Sequence, residues 1–164
     1  MTAMTLRRAT PDDIGYIMTI ERLPGYDSFI GKFDAEQHRQ QLNDPAMDYF
    51  IGEDDAGSPI GFAIVSGLDN RDGNICIKRI AVAVPERGQG SRLLKGLVDR
   101  IFSTTPVHRL WLHVVKDNRR AWAVYGKAGF RDEGVLREAA LMPDGTRADL
   151  VMMSMLRPEW AERI

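Results

Sequence analysis

The chain has 164 residues, 44% hydrophobic and 27% charged, with a net charge of −1, which is enough material for one domain with a real core. No window approaches the roughly 18 uninterrupted apolar residues of a membrane span, and the opening MTAMTLRRATPDD lacks the apolar stretch of a secretory leader, so the expectation is a cytoplasmic protein with no membrane partner. The lone Cys76 excludes an internal disulfide, no Cys/His cluster has metal-ligand spacing, and the absence of basic runs interleaved with aromatics argues against nucleic acid.

MTLRRAT reads as a short strand. Thr10 then caps a helix, with Pro11 at its first position and Asp12 and Asp13 in its first turn. PGYDSFIG breaks that helix, and Asp34 caps a second one over DAEQHRQQL. MDYFIGED and PIGFAIVSGL are strands joined by a DAGS turn. NICIKRIAVAV, after the DNRDG turn, is β-branched and suits a central strand. From Gly88 to Thr104, Leu93, Leu94, Leu97, Val98 and Ile101 form one apolar helical face. RLWLHVV is a strand, DNRRAWAVYGKAG a helix closed by glycine, and GFRDEGVLREAALM and TRADLVMMSML are strands around a PDG turn, with RPEWAERI as a tail. The order β, α, α, β, β, β, α, β, α, β, β predicts an α+β domain over residues 1–164, a mixed sheet with helices on its faces.

Charge is unevenly spread. Residues 1–77 hold six Lys/Arg against thirteen Asp/Glu, a net of −7, whereas residues 78–100 hold six against two and residues 116–131 five against one, each a net of +4. The basic zone suits an anionic ligand and the acidic half a cationic one.

PERGQGSRLLKG, residues 85–96, joins the predicted central strand to a helix. Unpaired N–H groups at a helix start bind phosphate, and Gly88 and Gly90 allow its close approach. The Walker pattern fails because no Gly-Lys-Ser/Thr occurs, and the dinucleotide pattern fails because position 93 is Leu where a third glycine is needed. Arg87-Gly88-Gln89-Gly90-Ser91-Arg92 follows the acetyl-CoA pattern Arg/Gln-x-x-Gly-x-Gly/Ala at its first two anchors, with Arg92 in place of the last small residue. A turn that binds nothing is the alternative for this stretch alone.

A second stretch, VVKDNRRAWAVYGKAGF (residues 114–130), carries Asn118, Ala121, Tyr125, Lys127, Gly129 and Phe130. Together the two stretches resemble the GNAT superfamily of acetyl-CoA-dependent N-acetyltransferases, and the element order resembles it along nearly the whole chain. The C-terminal part looks like the subgroup of ribosomal-protein serine and alanine N-acetyltransferases. The resemblance implies the GNAT acyl-CoA N-acyltransferase fold, a three-layer, mostly antiparallel sheet whose central parallel strands splay.

It also implies acetyl-CoA as cofactor, with its arm along the backbone of Ile80, Ala81 and Val82 and its pyrophosphate on Arg87, Gly88, Gln89, Gly90, Ser91 and Arg92. Asn118 would bond the arm, Lys127 belongs to the motif, and Tyr125 would protonate the leaving thiolate. For Asn118 a plain N-cap and for Tyr125 a core tyrosine are the alternatives. Trp122 and Phe130 read as packing, and Cys76 as core. The acceptor would be a primary amine, on a small molecule or a peptide, approached by residues 21–31 and 137–147, where acidic groups would attract a cation. Many relatives carry a Glu on the central strand, but here that strand offers only Lys78 and Arg79 as charges. Glu21, Asp27, His113 or a water chain are therefore the candidate proton acceptors. A catalytically silent acyl-CoA-binding module is the competing reading, and a homodimer is compatible with the family.

Overall fold

A computed structural model describes residues 3–26, 32–85 and 87–164. The chain runs β1 (Thr5–Arg8), α1 (Ile14–Glu21), α2 (Ala35–Leu42), β2 (Met47–Glu53), β3 (Pro59–Ser66), β4 (Asn74–Val82), α3 (Gln89–Thr104), β5 (Arg109–Val115), α4 (Arg119–Ala128), β6 (Arg131–Leu141), β7 (Arg147–Leu156) and α5 (Arg157–Ala161). The predicted order holds, with three local differences. Thr10 and Pro11 open a 3-10 turn over Pro11–Asp13 that leads into α1. β4 ends at Val82 rather than at Val84. The tail coils into α5, where the Glu159 carboxylate accepts the Leu156 N–H at 2.9 Å and satisfies a helix-start donor.

Seven strands form one sheet in the order β1-β2-β3-β4-β5-β7-β6. Every neighbouring pair is antiparallel except β4 and β5. Strand alternation sends two sets of apolar side chains to opposite faces. Phe50, Ala63, Val65, Ile75, Ile77, Leu110, Leu112 and Val114 pack with Leu94, Leu97, Val98, Ile101 and Phe102 of α3. Tyr49, Ile51, Phe62, Ile64 and Ala81 pack with Ile17 and Ile20 of α1 on the other face. The predicted apolar face of α3 is buried, and Phe102 joins it. Edge strand β6 is broken by two register shifts, one containing Glu138 at φ 51°, which blunts an edge that would otherwise offer a flat ladder.

Arg157 ties α5 to the end of α3. Its Nε donates to Val107 O at 2.8 Å, and its two terminal nitrogens donate to Phe102 O at 2.9 Å and Thr105 O at 2.7 Å. These carbonyls lie in and just beyond the last turn of α3, where cationic donors are favoured. Arg157→Ala is expected to cost about 2 kcal/mol, from the loss of charge-assisted hydrogen bonds to partly buried carbonyls. A urea-unfolding curve checks this, and an unchanged midpoint would refute it.

Candidate active site

β4 and β5 pair only over Asn74–Cys76 against Arg109–Trp111. On its other edge, β4 shifts register against β3, from Val65↔Ile77 to Ile64↔Arg79, which makes Lys78 an extra residue. Such a bulge bends its strand and sharpens the twist. It falls two residues after the last parallel pair, and from there the strands open into a V. A cavity of about 490 Å³ occupies the V, with Ile80, Ala81 and Val82 on one wall, Asn118 and Tyr125 on the other, and Gly90 and Tyr26 at its ends. The expected splay is therefore present, and the bulge gives its physical cause.

The ladder decides which β4 amides face the opening. Ala83 N–H donates to Ile60 O at 2.9 Å, so the Ile60–Ala83 pair is hydrogen-bonded across the ladder. Antiparallel pairs alternate between bonded and non-bonded, so Ala81 pairs with Phe62 while Ile80 and Val82 turn their polar groups toward the gap. Tyr26 shows this directly: its hydroxyl donates to Val82 O at 2.8 Å, and the hydroxyl oxygen accepts Val82 N–H at 3.4 Å. Of the three residues expected to expose backbone, two do so. Ala81 contributes cavity wall only, and its methyl belongs to the core beside α1. Gly61 permits the close β3–β4 packing beneath, because a Cβ there would lie 2.4 Å from Ala81 O.

The glycine turn forms as its residue types predict. Gly88, at φ 71°, is the left-handed residue that starts α3, a conformation open to glycine at little cost. Gly90 faces the cavity, and a Cβ added there would meet only Val82 Cγ2, at 4.0 Å. The first N–H groups of α3 have no partner within the helix. The Gln89 Oε1 atom is buried and accepts no hydrogen bond among the described residues. Arg87 and Arg92 are exposed around this turn. Ser91 borders a second cavity of about 830 Å³ behind α3.

On α4, Asn118 is an N-cap, its Oδ1 accepting Ala121 N–H at 3.3 Å, and it also lines the cleft. Tyr125, two helical turns on, lines the same wall. Burial pushes its hydroxyl up to about 12. Gly129 at φ 106° closes the helix, as its sequence predicts. Lys127 is not brought to the cleft: two residues from Tyr125 on a helix, it faces the second cavity and is exposed. Cys76 is buried, and burial pushes its thiol up to about 11, which keeps it protonated and inert as a nucleophile.

The proton-acceptor candidates separate. Asp27 lies outside the described residues. Glu21 is fully buried, its Oε2 accepting from Arg79 at 2.5 Å and its Oε1 lying 2.5 Å from His38 Nε2. His38 is itself fully buried, with Nδ1 at 2.8 Å from the Tyr49 hydroxyl. Glu21 is thus the centre of an internal network rather than a carboxylate open to the cleft. His113 is exposed on the face of β5 opposite Leu112 and Val114. Part of the acidic surplus of residues 1–77 is used locally: Asp13 and Glu53 bind Arg7, Asp48 binds Arg8, and Asp34 caps α2.

Arg79, His38, Tyr49 and Tyr26 escape the sequence reading because their partners lie 11 to 58 residues away. The available signal was Arg79 itself, a charge on an otherwise apolar strand. Residues 137–147 do not line the cleft; Met142, Asp144 and Arg147 line a separate cavity that Asp117 also borders.

A parallel pair opened to expose one strand's amides, with a glycine-built helix start below and a tyrosine opposite, defines an acyl-CoA-dependent transferase. Residues 16–130 match the model of the acetyltransferase (GNAT) family, and the chain belongs to that family. Its cofactor is acetyl-CoA, and its class is N-acetyltransferase. Across 98% of its length the chain is 26% identical to the spermidine N(1)-acetyltransferase of Vibrio cholerae serotype O1, covering 96% of that protein. Its fold is similar to the crystal structure of a Vibrio cholerae spermidine N-acetyltransferase in complex with CoA and spermine, with a TM-score of 0.85, 23% identity, and coverage of 96% of this chain and 98% of that one.

Proposed function

We propose that the chain, acting as one domain over residues 1–164, transfers acetyl directly to a small primary amine held beside acetyl-CoA in a ternary complex. The observation that carries this is the opposition across one cleft of the outward amides of Ile80 and Val82 and the hydroxyl of Tyr125. Nothing in the site favours a silent acyl-CoA-binding module.

The residues present fit the cofactor. Ile80 and Val82 offer a strand edge to its amides. The N–H groups that start α3, opened by Gly88 and Gly90, suit a pyrophosphate, with Arg87 and Arg92 adding charge and the Gln89 carbonyl oxygen awaiting a donor. Asn118 stands at the cleft wall to bond the arm. When bound, acetyl-CoA supplies an activated acetyl thioester. Tyr26 stands on Val82 where a cofactor amide would pair, so cofactor binding requires it to yield that position.

The Val82 N–H, turned toward the cleft, would be the donor to oxyanion charge on the thioester. Tyr125 holds its proton at Oη and would give it to the departing sulfur. Glu21 is committed to Arg79 and His38, which leaves Asp27, His113 or a water chain along outward carbonyls to take the proton from the amine. The similarity to spermidine acetyltransferases supports a small-molecule acceptor. The proposal extends to a cytoplasmic location, supported by the finding that no helix among the described residues is long and apolar enough to cross a membrane. It extends also to a homodimer, which sedimentation would test.

Calorimetry with CoA and a thiol-release assay over an amine panel test this reading, and no binding at millimolar CoA would sink it. Arg92→Ala is expected to weaken CoA by about three- to tenfold, the worth of one charge-assisted contact to phosphate. Unchanged affinity would remove Arg92 from the cradle.

A further inference from the structure

We infer that Tyr26 is an internal competitor for the cofactor's place on β4, so that the free protein is held partly closed to CoA. This rests on the acetyl-transfer reading above and deepens it by naming what controls entry to that site.

The sequence builds the device locally. Leu23-Pro24-Gly25-Tyr26 follows α1, and Tyr26 N–H donates to Leu23 O at 3.0 Å. Proline in the second position and a glycine at φ 91° in the third are the residues of a type II turn. The turn is also tied to α1, because Leu23 N–H donates to Ile20 O at 3.1 Å. Leu23 and Tyr26 both pack against the cluster that holds Ile17, Ile20 and Ala81. Backbone and packing therefore set the Tyr26 ring at the cleft, which Pro24 and Gly25 also border.

The hydroxyl spans the V. It bonds Val82 on β4 and lies within electrostatic reach of Tyr125 and Arg120 on α4. Burial raises it above the ordinary tyrosine value, so at neutral pH it keeps the proton it donates.

Val82 turns one acceptor and one donor outward, a pattern that a secondary amide of the cofactor arm answers with its own N–H and C=O. A single tyrosine hydroxyl answers both, donating to Val82 O at 2.8 Å and accepting Val82 N–H at 3.4 Å. A carbonyl oxygen has two lone pairs and can serve two donors, but the N–H has one proton. Tyr26 and the cofactor exclude each other there. The same N–H is the oxyanion donor of the transfer reading, so a protein with Tyr26 in place lacks both an anchor for the arm and a donor for the reaction. A ligand that binds only the open form has its affinity reduced by the open fraction.

Calorimetry and stopped-flow binding of CoA to the parent and to Tyr26→Phe test this. The variant keeps the ring and its packing and loses the hydroxyl. It should bind CoA about three- to tenfold more tightly, the worth of one hydrogen bond broken on entry. The gain should lie in kon with koff unchanged, because the contact exists only in the free protein. Equal or weaker affinity, or a gain confined to koff, overturns the inference. A second readout follows the ring itself. Of the four tyrosines, Tyr16 and Tyr49 do not line the cleft. In protein labelled with 3-fluorotyrosine, saturating CoA should move the fluorine resonance of Tyr26 and leave those of Tyr16 and Tyr49 in place. A Tyr26 resonance that does not move refutes the competition. Absence of CoA binding to both proteins at millimolar concentration sinks the transfer reading and this inference together. Equally tight binding to both sinks this inference alone.

Discussion

Tyr125→Phe should lower kcat about a hundredfold or more, the range for removing a positioned general acid, while CoA affinity changes little. The departing thiolate is a fair leaving group, but in a cleft walled by Ile80, Val82 and Val124 its charge is poorly solvated. A proton delivered as the bond breaks removes that cost. The hydroxyl pKa is pushed up to about 12 by burial, so the group is protonated, and competent as an acid, throughout the neutral range. The sign follows: activity dependent on this proton is present below that pKa and is lost only as pH rises toward it. The kcat profile should therefore show no descending limb from Tyr125 below about pH 10. Stopped-assay kinetics across pH on both proteins checks this. If the variant keeps the parent's maximal rate at every pH, the acid role is wrong and Tyr125 is a packing residue.

Glu21→Ala should cost about 3–5 kcal/mol of stability, the range for removing one member of a buried ion pair. The carboxylate is wholly enclosed, and the Arg79 side chain is only 9% exposed. Deleting the acid strands the guanidinium with a single ring, Phe33, against it, and leaves the His38 Nε2 without its partner. Glu21→Gln keeps hydrogen-bonding capacity without charge and should lose less. Chemical denaturation measures both, and an unchanged midpoint in Glu21→Ala would dissolve the network as a structural unit. The same pair separates structural from catalytic roles. A general base would give a folded, stable and inactive Glu21→Gln, whereas a scaffold residue gives a loss of stability that activity follows.

Much of the fold is written in local signals. The apolar face of α3 is readable because a 3.6-residue period marks one side of a helix wherever it packs. The left-handed starts and stops at Gly88 and Gly129 are readable because few other residues adopt those angles at low cost. The cradle and the Asn118–Tyr125 wall are legible for the same reason: each is contiguous in the chain, and seven residues on a helix return to the same face. Lys127 shows the limit of such reading. It belongs to the motif by spacing, yet two residues beyond Tyr125 it faces the cavity behind α3.

By itself the sequence determined the elements, their order, the glycine turn that starts α3 and the tyrosine wall, because these rest on periodicity and on the backbone preferences of neighbouring residues. Only the tertiary structure decided the rest. The opening of β4 from β5 depends on a one-residue bulge at Lys78, visible only when β3 supplies the register. The fate of Glu21 depends on Arg79, 58 residues away, and on His38, 17 away. The acidic first half implied a mouth that attracts cations, but in the fold Asp13, Glu53 and Asp48 pair with arginines, Asp34 caps α2 and Glu21 is buried. Charge counted along a chain says nothing of which charges cancel, since cancellation takes a few ångströms of separation that only the fold creates.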